Sequence, residues 1–152
     1  MTTFTDDMRL IVASAKLSFV ATTRPDGAPN LSPKGSVRVY DDEHLAFMDL
    51  ASPHTVANLR RDPRVEVNSI DVLRRRGYRF RGTAEVLPPG HPVHTFLADW
   101  LVAANGPGYP FHHAVLIHVD EAHRVLSPAY AFGGAKEEEL IPEWKHKYDI
   151  TE

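Results

Sequence analysis

The chain has no cysteine, no large excess of either charge and no long apolar run. The missing thiols exclude disulfide scaffolds, iron–sulfur clusters, thiolate zinc sites and cysteine nucleophiles. With 17 basic and 20 acidic residues the net charge is −3, which argues against a protein held mainly by nucleic-acid phosphates. Residues 1–7 are polar and acidic, unlike a signal peptide, and the apolar residues 10–20 are too short to cross a bilayer. We therefore expect a cytoplasmic protein with no nucleic-acid or membrane partner.

Familiar catalytic motifs are also missing. The sequence has no glycine-rich dinucleotide fingerprint, no Walker loop and no serine nucleophile elbow. Nine histidines raise the question of a metal, and the densest groups are His91 with His94, and His112 and His113 with His118. Neither group has the spacing of a metal-binding helix, and adjacent histidines on a strand point to opposite faces. We predict no metal site.

What is present is a globular chain whose hydrophobic share, 43%, is enough for one domain over residues 1–152. Pro25, Asp26 and Gly27 lie between two extended runs and predict a hairpin turn. Apolar periodicity and turn residues predict an N-terminal helix capped by Thr5, helices over 53–61, 92–103 and 136–146, and strands over 17–23, 30–39, 44–49, 64–70, 74–86 and 112–126. Six strands with early hairpins favour an antiparallel sheet closed into a small barrel.

The segment around Ser52 has the features of an anion site. Ser52 is a preferred N-cap residue, and Pro53 suits the first helical position because its missing N–H costs nothing there. The amides of His54 and Thr55 then point outward without an intrahelical acceptor, and the helix dipole adds positive charge. A phosphate fits such a place. The alternative interpretation is an ordinary capped helix.

A second basic group precedes this helix. Alternation along a strand puts Lys34, Ser36 and Arg38 on one face, which antiparallel pairing can bring near the helix start. Gly35 would allow a planar ligand to approach the backbone. The alternative is a half-exposed strand without a ligand. A further run, Arg74-Arg75-Arg76, is typical of a solvated turn, and the other interpretation is a surface that steers an anion.

Three segments together resemble the pyridoxamine 5′-phosphate oxidase-like flavin-binding split-barrel superfamily. They are residues 20–35, which include the Pro-Asp-Gly turn and Ser32-Pro33-Lys34-Gly35; residues 52–65, which run from Ser-Pro-His-Thr to Asp-Pro-Arg-Val; and residues 78–84, which end in Gly-x-Ala. The resemblance covers roughly residues 8–87.

The resemblance implies a mainly β fold with short helices, a six-stranded antiparallel split β-barrel of the flavin-binding type. It also implies a homodimer that holds FMN at the subunit interface. One strand would line the flavin, the next strand end would pass near the ring, the helix start would hold the phosphate, and a C-terminal tryptophan would cover the flavin of the partner subunit. The corresponding residues here are Lys34, Gly35, Ser36, Val37, Arg38, Met48, Asp49, Ser52, His54, Thr55 and Trp144.

Two departures from the oxidases bear on function. The oxidases usually have an Arg-Lys pair where this chain has His54 and Thr55, so the phosphate would rely on backbone amides, Lys34 and Arg38. Their substrate-binding arginine pattern is absent from the C-terminal segment, which argues against vitamin B6 oxidation.

We expect an FMN-dependent oxidoreductase of unknown small-molecule substrate, with His112, Tyr109 or the partner's tryptophan near the open ring face and no assigned catalytic residue. The alternatives are a deazaflavin-dependent reductase, a non-enzymatic flavin- or haem-binding protein on the same barrel, and a module for a phosphorylated ligand without redox chemistry.

Overall fold

Seven strands and five helices are distributed along residues 2–151, which the computed structural model describes. In chain order they are α1 (Asp6–Ala15), β1 (Ser18–Thr23), β2 (Pro29–Lys34), β3 (Arg38–Val39), β4 (His44–Met48), α2 (Pro53–Arg61), β5 (Arg64–Asp71), β6 (Arg76–Leu87), α3 (Pro92–Asn105), β7 (Ala114–Leu126), α4 (Pro128–Phe132) and α5 (Glu137–Lys147).

The order of the strands explains why the sheet closes on itself. Neighbours run β2-β1-β5-β6-β7-β4-β3, and every neighbouring pair is antiparallel. The two edge strands, β2 and β3, are consecutive in the chain and are joined only by residues 35–37. Three linking residues reach at most about 14 Å, so the two edges must lie close together. The sheet therefore curls into a barrel that is split between β2 and β3, which confirms the predicted mainly β split barrel.

The number of strands differs from the prediction by one. The sequence predicts a single strand over residues 30–39, whereas the structure has β2 and β3 with different partners. Lys34 at the end of β2 pairs with Ser18 of β1, and Arg38 at the start of β3 pairs with Ala46 of β4. Gly35 and Ser36 form a turn between them, and this turn carries the chain from one edge of the sheet to the other.

Local signals in the sequence give the hairpin and the first helix. The amide of Gly27 donates to the carbonyl of Arg24 at 2.9 Å, and Gly27 takes the positive φ of 83° that glycine allows. Thr5 caps α1, since its hydroxyl accepts from the Met8 amide at 3.2 Å. Both predictions are confirmed.

Two apolar cores fix the position of the helices. The larger core fills the barrel and includes Ile11 of α1, Leu59 of α2 and Phe80 of β6. The smaller core lies under α3, where Leu97 packs against Met48 of β4. As a result, α2 begins where β4 leaves the barrel, and α3 covers the outer side of the same strand.

The arginine run at the β5–β6 turn is not a solvated turn. Arg76 is only 13% exposed and pairs with Asp7 of α1 at 2.8 Å and with Glu137 of α5 at 2.6 Å. Arg74 pairs with Asp71 at 2.5 Å, and the carbonyl of Arg74 accepts from the Tyr130 hydroxyl at 2.6 Å. The arginines thus attach the C-terminal helices to the barrel, including α4, which the sequence analysis did not predict.

The Asp7–Arg76 contact predicts acid-sensitive stability. Hydrogen bonds from Arg76 and Tyr78 hold the pKa of the Asp7 carboxyl below its ordinary value of 3.8. A carboxyl whose pKa is lower in the folded than in the unfolded state adds stability above the unfolded pKa and loses it as the pH falls further. We expect Asp7→Asn to lower the melting temperature at neutral pH, with the difference from the wild type shrinking below pH 3.8.

Thermal unfolding from neutral pH down to about pH 3 measures this difference across the range where the Asp7 carboxyl takes up its proton. Asp6→Asn is the matched control, because Asp6 lies in the same first turn of α1 and is exposed. A destabilisation by Asp7→Asn that does not change with pH would argue against the ion pair as its source.

Over residues 2–151, no helix has the length and apolar character needed to span a bilayer.

Candidate functional site

The turn between β4 and α2 is held by the buried Asp49. Its backbone N–H donates to the carbonyl of His113 at 2.8 Å, and its own carbonyl accepts from the His112 amide at 3.0 Å. The Asp49 carboxylate accepts from the Ser52 amide at 2.7 Å. Asp49 therefore fixes the position of the first residue before α2 by hydrogen bonds on both sides of the turn.

The ammonium group of Lys34 reaches this turn from the end of β2. Lys34 is only 6% exposed, and its Nζ donates to the Ser52 hydroxyl at 2.5 Å and to the Ser32 hydroxyl at 2.7 Å. Burial lowers the pKa of Lys34, and the nearby charge of Asp49 opposes this effect in part. Lys34 forms no ion pair with a carboxylate of residues 2–151. A buried cation thus lies at the helix start with hydroxyl groups as its direct partners.

The contact with Lys34 changes what Ser52 does for the helix. Ser52 occupies the N-cap position of α2, yet its side chain makes no capping hydrogen bond. Pro53 has no N–H to offer, so the first outward-pointing amides are those of His54 and Thr55. Thr55 is buried and His54 is exposed. The helix start therefore presents free donors beside the Lys34 ammonium, which is the arrangement that binds a phosphate.

The turn between β2 and β3 presents backbone rather than side chains. The Ser36 hydroxyl is buried and accepts from the Met48 amide at 3.0 Å, so it ties the turn to β4. A Cβ added to Gly35 would meet no atom closer than the Lys16 carbonyl oxygen at 4.0 Å, so the surface at Gly35 is open. The side chains of Val37 and Met48 lie in the two cores and leave only backbone for contact with a ligand.

The Arg38 side chain has different partners from that of Lys34. Strand alternation does not carry from Lys34 to Arg38, because the turn at residues 35–37 interrupts the strand. The Arg38 guanidinium lies over the ring of Trp100 in α3, 4.5 Å from its centroid. The guanidinium thus contacts α3, and a contact of Arg38 with a phosphate at the start of α2 stays a prediction.

Trp144 lies against the β5–β6 turn of the same chain. The Arg75 guanidinium is 3.7 Å from the centroid of its ring, and the Tyr148 ring is 5.9 Å away. None of these contacts involves Lys34 or Ser52. A contact of Trp144 with a flavin in the partner subunit stays a prediction, as does a substrate contact of the exposed Tyr109 and His112.

Two partners of the predicted site residues, Ser32 and Trp100, were not among the predicted site residues. Ser32 lies two positions before Lys34, so strand alternation alone places its hydroxyl on the same side as the Lys34 ammonium. Trp100 lies in the helix predicted over residues 92–103, and no local signal connects it with Arg38, which is 62 positions earlier in the sequence.

The histidine groups do not converge. Within residues 2–151, no three histidine, aspartate or glutamate side chains lie together in a way that could hold a metal ion. His118 meets His44 instead, with 3.2 Å between Nδ1 of His118 and Nε2 of His44.

Known proteins with a similar sequence or structure have the same type of fold. The family model described as pyridoxamine 5′-phosphate oxidase matches residues 4–125 of the 152. No curated protein matches the chain. Among solved structures, HupZ of Group A Streptococcus shares 29% identity at a TM-score of 0.71, over 82% of this chain and 95% of that chain.

Two further structures support the fold alone. An F420 reductase has 20% identity and a TM-score of 0.64, over 79% of this chain and 98% of that chain. An FMN-binding protein from Syntrophomonas wolfei has 10% identity and a TM-score of 0.65, over 80% of this chain and 90% of that chain.

Proposed function

This chain belongs to the pyridoxamine 5′-phosphate oxidase family, and on that premise we propose that it binds FMN by its phosphate and acts as a flavin-dependent oxidoreductase on a small molecule. The observation that carries the proposal is the buried Lys34 ammonium beside the uncapped start of α2. Burying a charge without a direct ion-pair partner is unfavourable, and the nearby charge of Asp49 offsets this cost only in part. A phosphate would supply a direct partner and would accept from the outward-pointing amides as well.

The residues around Lys34 are suited to the phosphate and to the ring of FMN. Asp49 holds Ser52 and Ser52 holds the Lys34 ammonium, so the groups expected at the phosphate are fixed before a ligand arrives. Gly35 leaves open backbone on which a planar ring can lie. When bound, the flavin supplies the electron or hydride transfer, and the protein supplies binding and orientation. We assign no catalytic acid or base.

A deazaflavin coenzyme is the second candidate. The F420 reductase with the same fold favours it, because a deazaflavin presents a phosphate and a similar ring system. The residues at the helix start would serve either cofactor equally.

A second copy of the chain is the partner that we propose. On the outer face of the sheet Phe19 of β1 is paired with Pro33 of β2, and Ala21 with Leu31. Phe19 is 40% exposed and Leu31 is 67% exposed, so this end of the sheet presents apolar groups to water. Burying them against a second copy would stabilise a homodimer, with the cofactor near the interface as the family resemblance implies.

The function is tested by titrating the purified protein with FMN and with riboflavin. Riboflavin has the same ring and lacks the phosphate, so the ratio of the two affinities isolates the phosphate contact. We expect FMN to bind at least about 100-fold more tightly, since charge-assisted hydrogen bonds to a phosphate are individually strong. Flavin fluorescence and the visible spectrum follow binding directly.

The possible outcomes separate the candidates. Equal affinity for both flavins would refute the phosphate site, and binding of neither would refute the flavin proposal. Preference for F420 over FMN would favour the deazaflavin candidate. Reduction of the bound cofactor by a reduced nicotinamide would support an enzyme, whereas tight binding without turnover under nicotinamides or oxygen would support a carrier.

A further inference from the structure

A cavity of about 280 Å³ lies beside the β2–β3 turn, between the C-terminal ends of α1 and α3. Gly35 and Arg38 form its floor, Trp100 and Asn105 line the α3 side, and Lys16 lines the α1 side. No residue that lines it is an aspartate or a glutamate. The cavity therefore combines two cationic side chains with one aromatic wall.

Within residues 2–151 the two cations lack a carboxylate partner. Among residues 2–151, neither Lys16 nor Arg38 forms an ion pair, and the Arg38 guanidinium rests on the Trp100 ring instead. The ends of α1 and α3 each contribute a partial negative charge of about one half, which offsets part of the positive charge only. A net positive charge remains in the cavity, so an anion is the ligand that its electrostatics favour.

The adjoining cavity shows the contrast. It has about 220 Å³ and shares Arg38 as a wall, and its second cation is Arg9. Arg9 already pairs with Asp42 at 2.6 Å. Within residues 2–151, the adjoining cavity thus has one cation without a carboxylate partner, Arg38, whereas the cavity that contains Trp100 has two, Lys16 and Arg38.

We propose that this cavity binds a small aromatic carboxylate, with the carboxylate on the Arg38 guanidinium and the aromatic ring on the wall that Trp100 forms. Arg38 can donate two parallel hydrogen bonds to a carboxylate, and Lys16 adds a charge at the open side. Because Gly35 borders both this cavity and the surface proposed for the flavin ring, the ligand is the substrate. That last step rests on the proposed function, whereas the binding site does not.

Benzoate is the probe, and benzamide is the matched neutral ligand. In a Trp144→Phe background Trp100 is the only tryptophan, so its fluorescence reports on this cavity. We expect benzoate to cause a saturable change in Trp100 fluorescence. Benzamide should bind at least about tenfold more weakly, since it lacks the negative charge of the carboxylate. Arg38→Gln should weaken benzoate to the level of benzamide. Arg9→Gln removes the same charge from the adjoining cavity and should leave the benzoate affinity unchanged.

Calorimetric titration of benzoate into the FMN-saturated protein separates this site from the cofactor site. We expect benzoate to bind alongside FMN, and we expect Lys34→Met to weaken FMN without changing benzoate binding to the FMN-free protein. The proposal is overturned if benzoate fails to bind, if benzamide binds equally well, or if FMN displaces benzoate, which would make the cavity the flavin ring pocket. A protein that binds benzoate but not FMN would refute the flavin function while leaving this site in place.

Discussion

Lys34→Met is expected to weaken FMN binding by about 100-fold and at the same time to stabilise the FMN-free protein. The loss in affinity follows because the variant removes the cation that faces the phosphate, and deleting one partner of a buried charge pair costs several kcal/mol. The gain in stability follows because methionine fills a similar volume without a charge to desolvate. The Ser52 hydroxyl is then free to cap α2. We expect the free energy of unfolding of the FMN-free protein to rise by about 1 kcal/mol, which corresponds to a rise of about 2–4 °C in melting temperature.

The pH dependence of stability gives a second readout. Burial lowers the pKa of Lys34 below 10.5, so in alkaline solution the unfolded chain keeps a proton that the native protein has lost. Stability rises with pH wherever the unfolded state binds more protons. The advantage of Lys34→Met over the wild type should therefore shrink as the pH approaches 10.5.

Lys136→Met makes the same chemical change at an exposed lysine and should alter neither FMN binding nor stability. If Lys34→Met destabilises the FMN-free protein by several degrees, then the Lys34 ammonium is a structural group, and the assignment of the phosphate site loses its main support.

Gly82→Ala is expected to destabilise the protein by about 3 kcal/mol or more, which lowers the melting temperature by roughly 10 °C. A Cβ at Gly82 would lie 1.9 Å from the carbonyl oxygen of His118 and 3.1 Å from the Cα of Val119. Both neighbours are backbone atoms of β7, so neither can move aside cheaply. The pairing of β6 with β7 shifts register between Arg81 and Gly82, and the strands approach closely at this point.

Gly35→Ala is the control for this prediction. It introduces the same methyl group where the nearest atom is 4.0 Å away and the φ angle is not positive, so the fold should be preserved. Circular dichroism melts of both variants test the contrast. A Gly82→Ala variant as stable as the wild type would mean that the two strands can separate locally, and the close approach would not explain the glycine.

Gly82 shows what a sequence motif can and cannot predict. The Gly-x-Ala at residues 82–84 is part of the family resemblance, yet the neighbouring residues in the sequence do not explain why glycine is needed at residue 82. The reason is the carbonyl of His118, which lies 36 positions later in the chain and is brought there by strand pairing. The motif predicts the family, whereas the structure gives the physical reason for the glycine.

In the candidate site, too, some features follow from neighbouring residues and others from distant contacts. Features set by neighbouring residues could be predicted, because a proline, a capping side chain or strand alternation acts over a few positions: the Thr5 cap, the Gly27 turn and the start of α2 at Pro53 are examples. The approach of Lys34 to the start of α2 was also expected from the hairpin order, although its partners were not.

The wrong predictions concern segments whose structure is set by long-range contacts. Residues 30–39 have the pattern of one strand, but barrel closure requires a turn at residues 35–37, and that turn sends Arg38 to Trp100. The arginines at residues 74–76 have the pattern of a solvated turn, but α1 and α5 bring Asp7 and Glu137 to Arg76.

The sequence by itself therefore determined the family, the antiparallel barrel and the helix start beside Lys34, because these depend on local patterns and on motif order. Only the tertiary structure decided that Lys34 is a buried cation with hydroxyl partners, and that Arg38 and Trp100 share a cavity. Burial and electrostatic pairing depend on which distant residues meet, and that is fixed when the two edges of the sheet close.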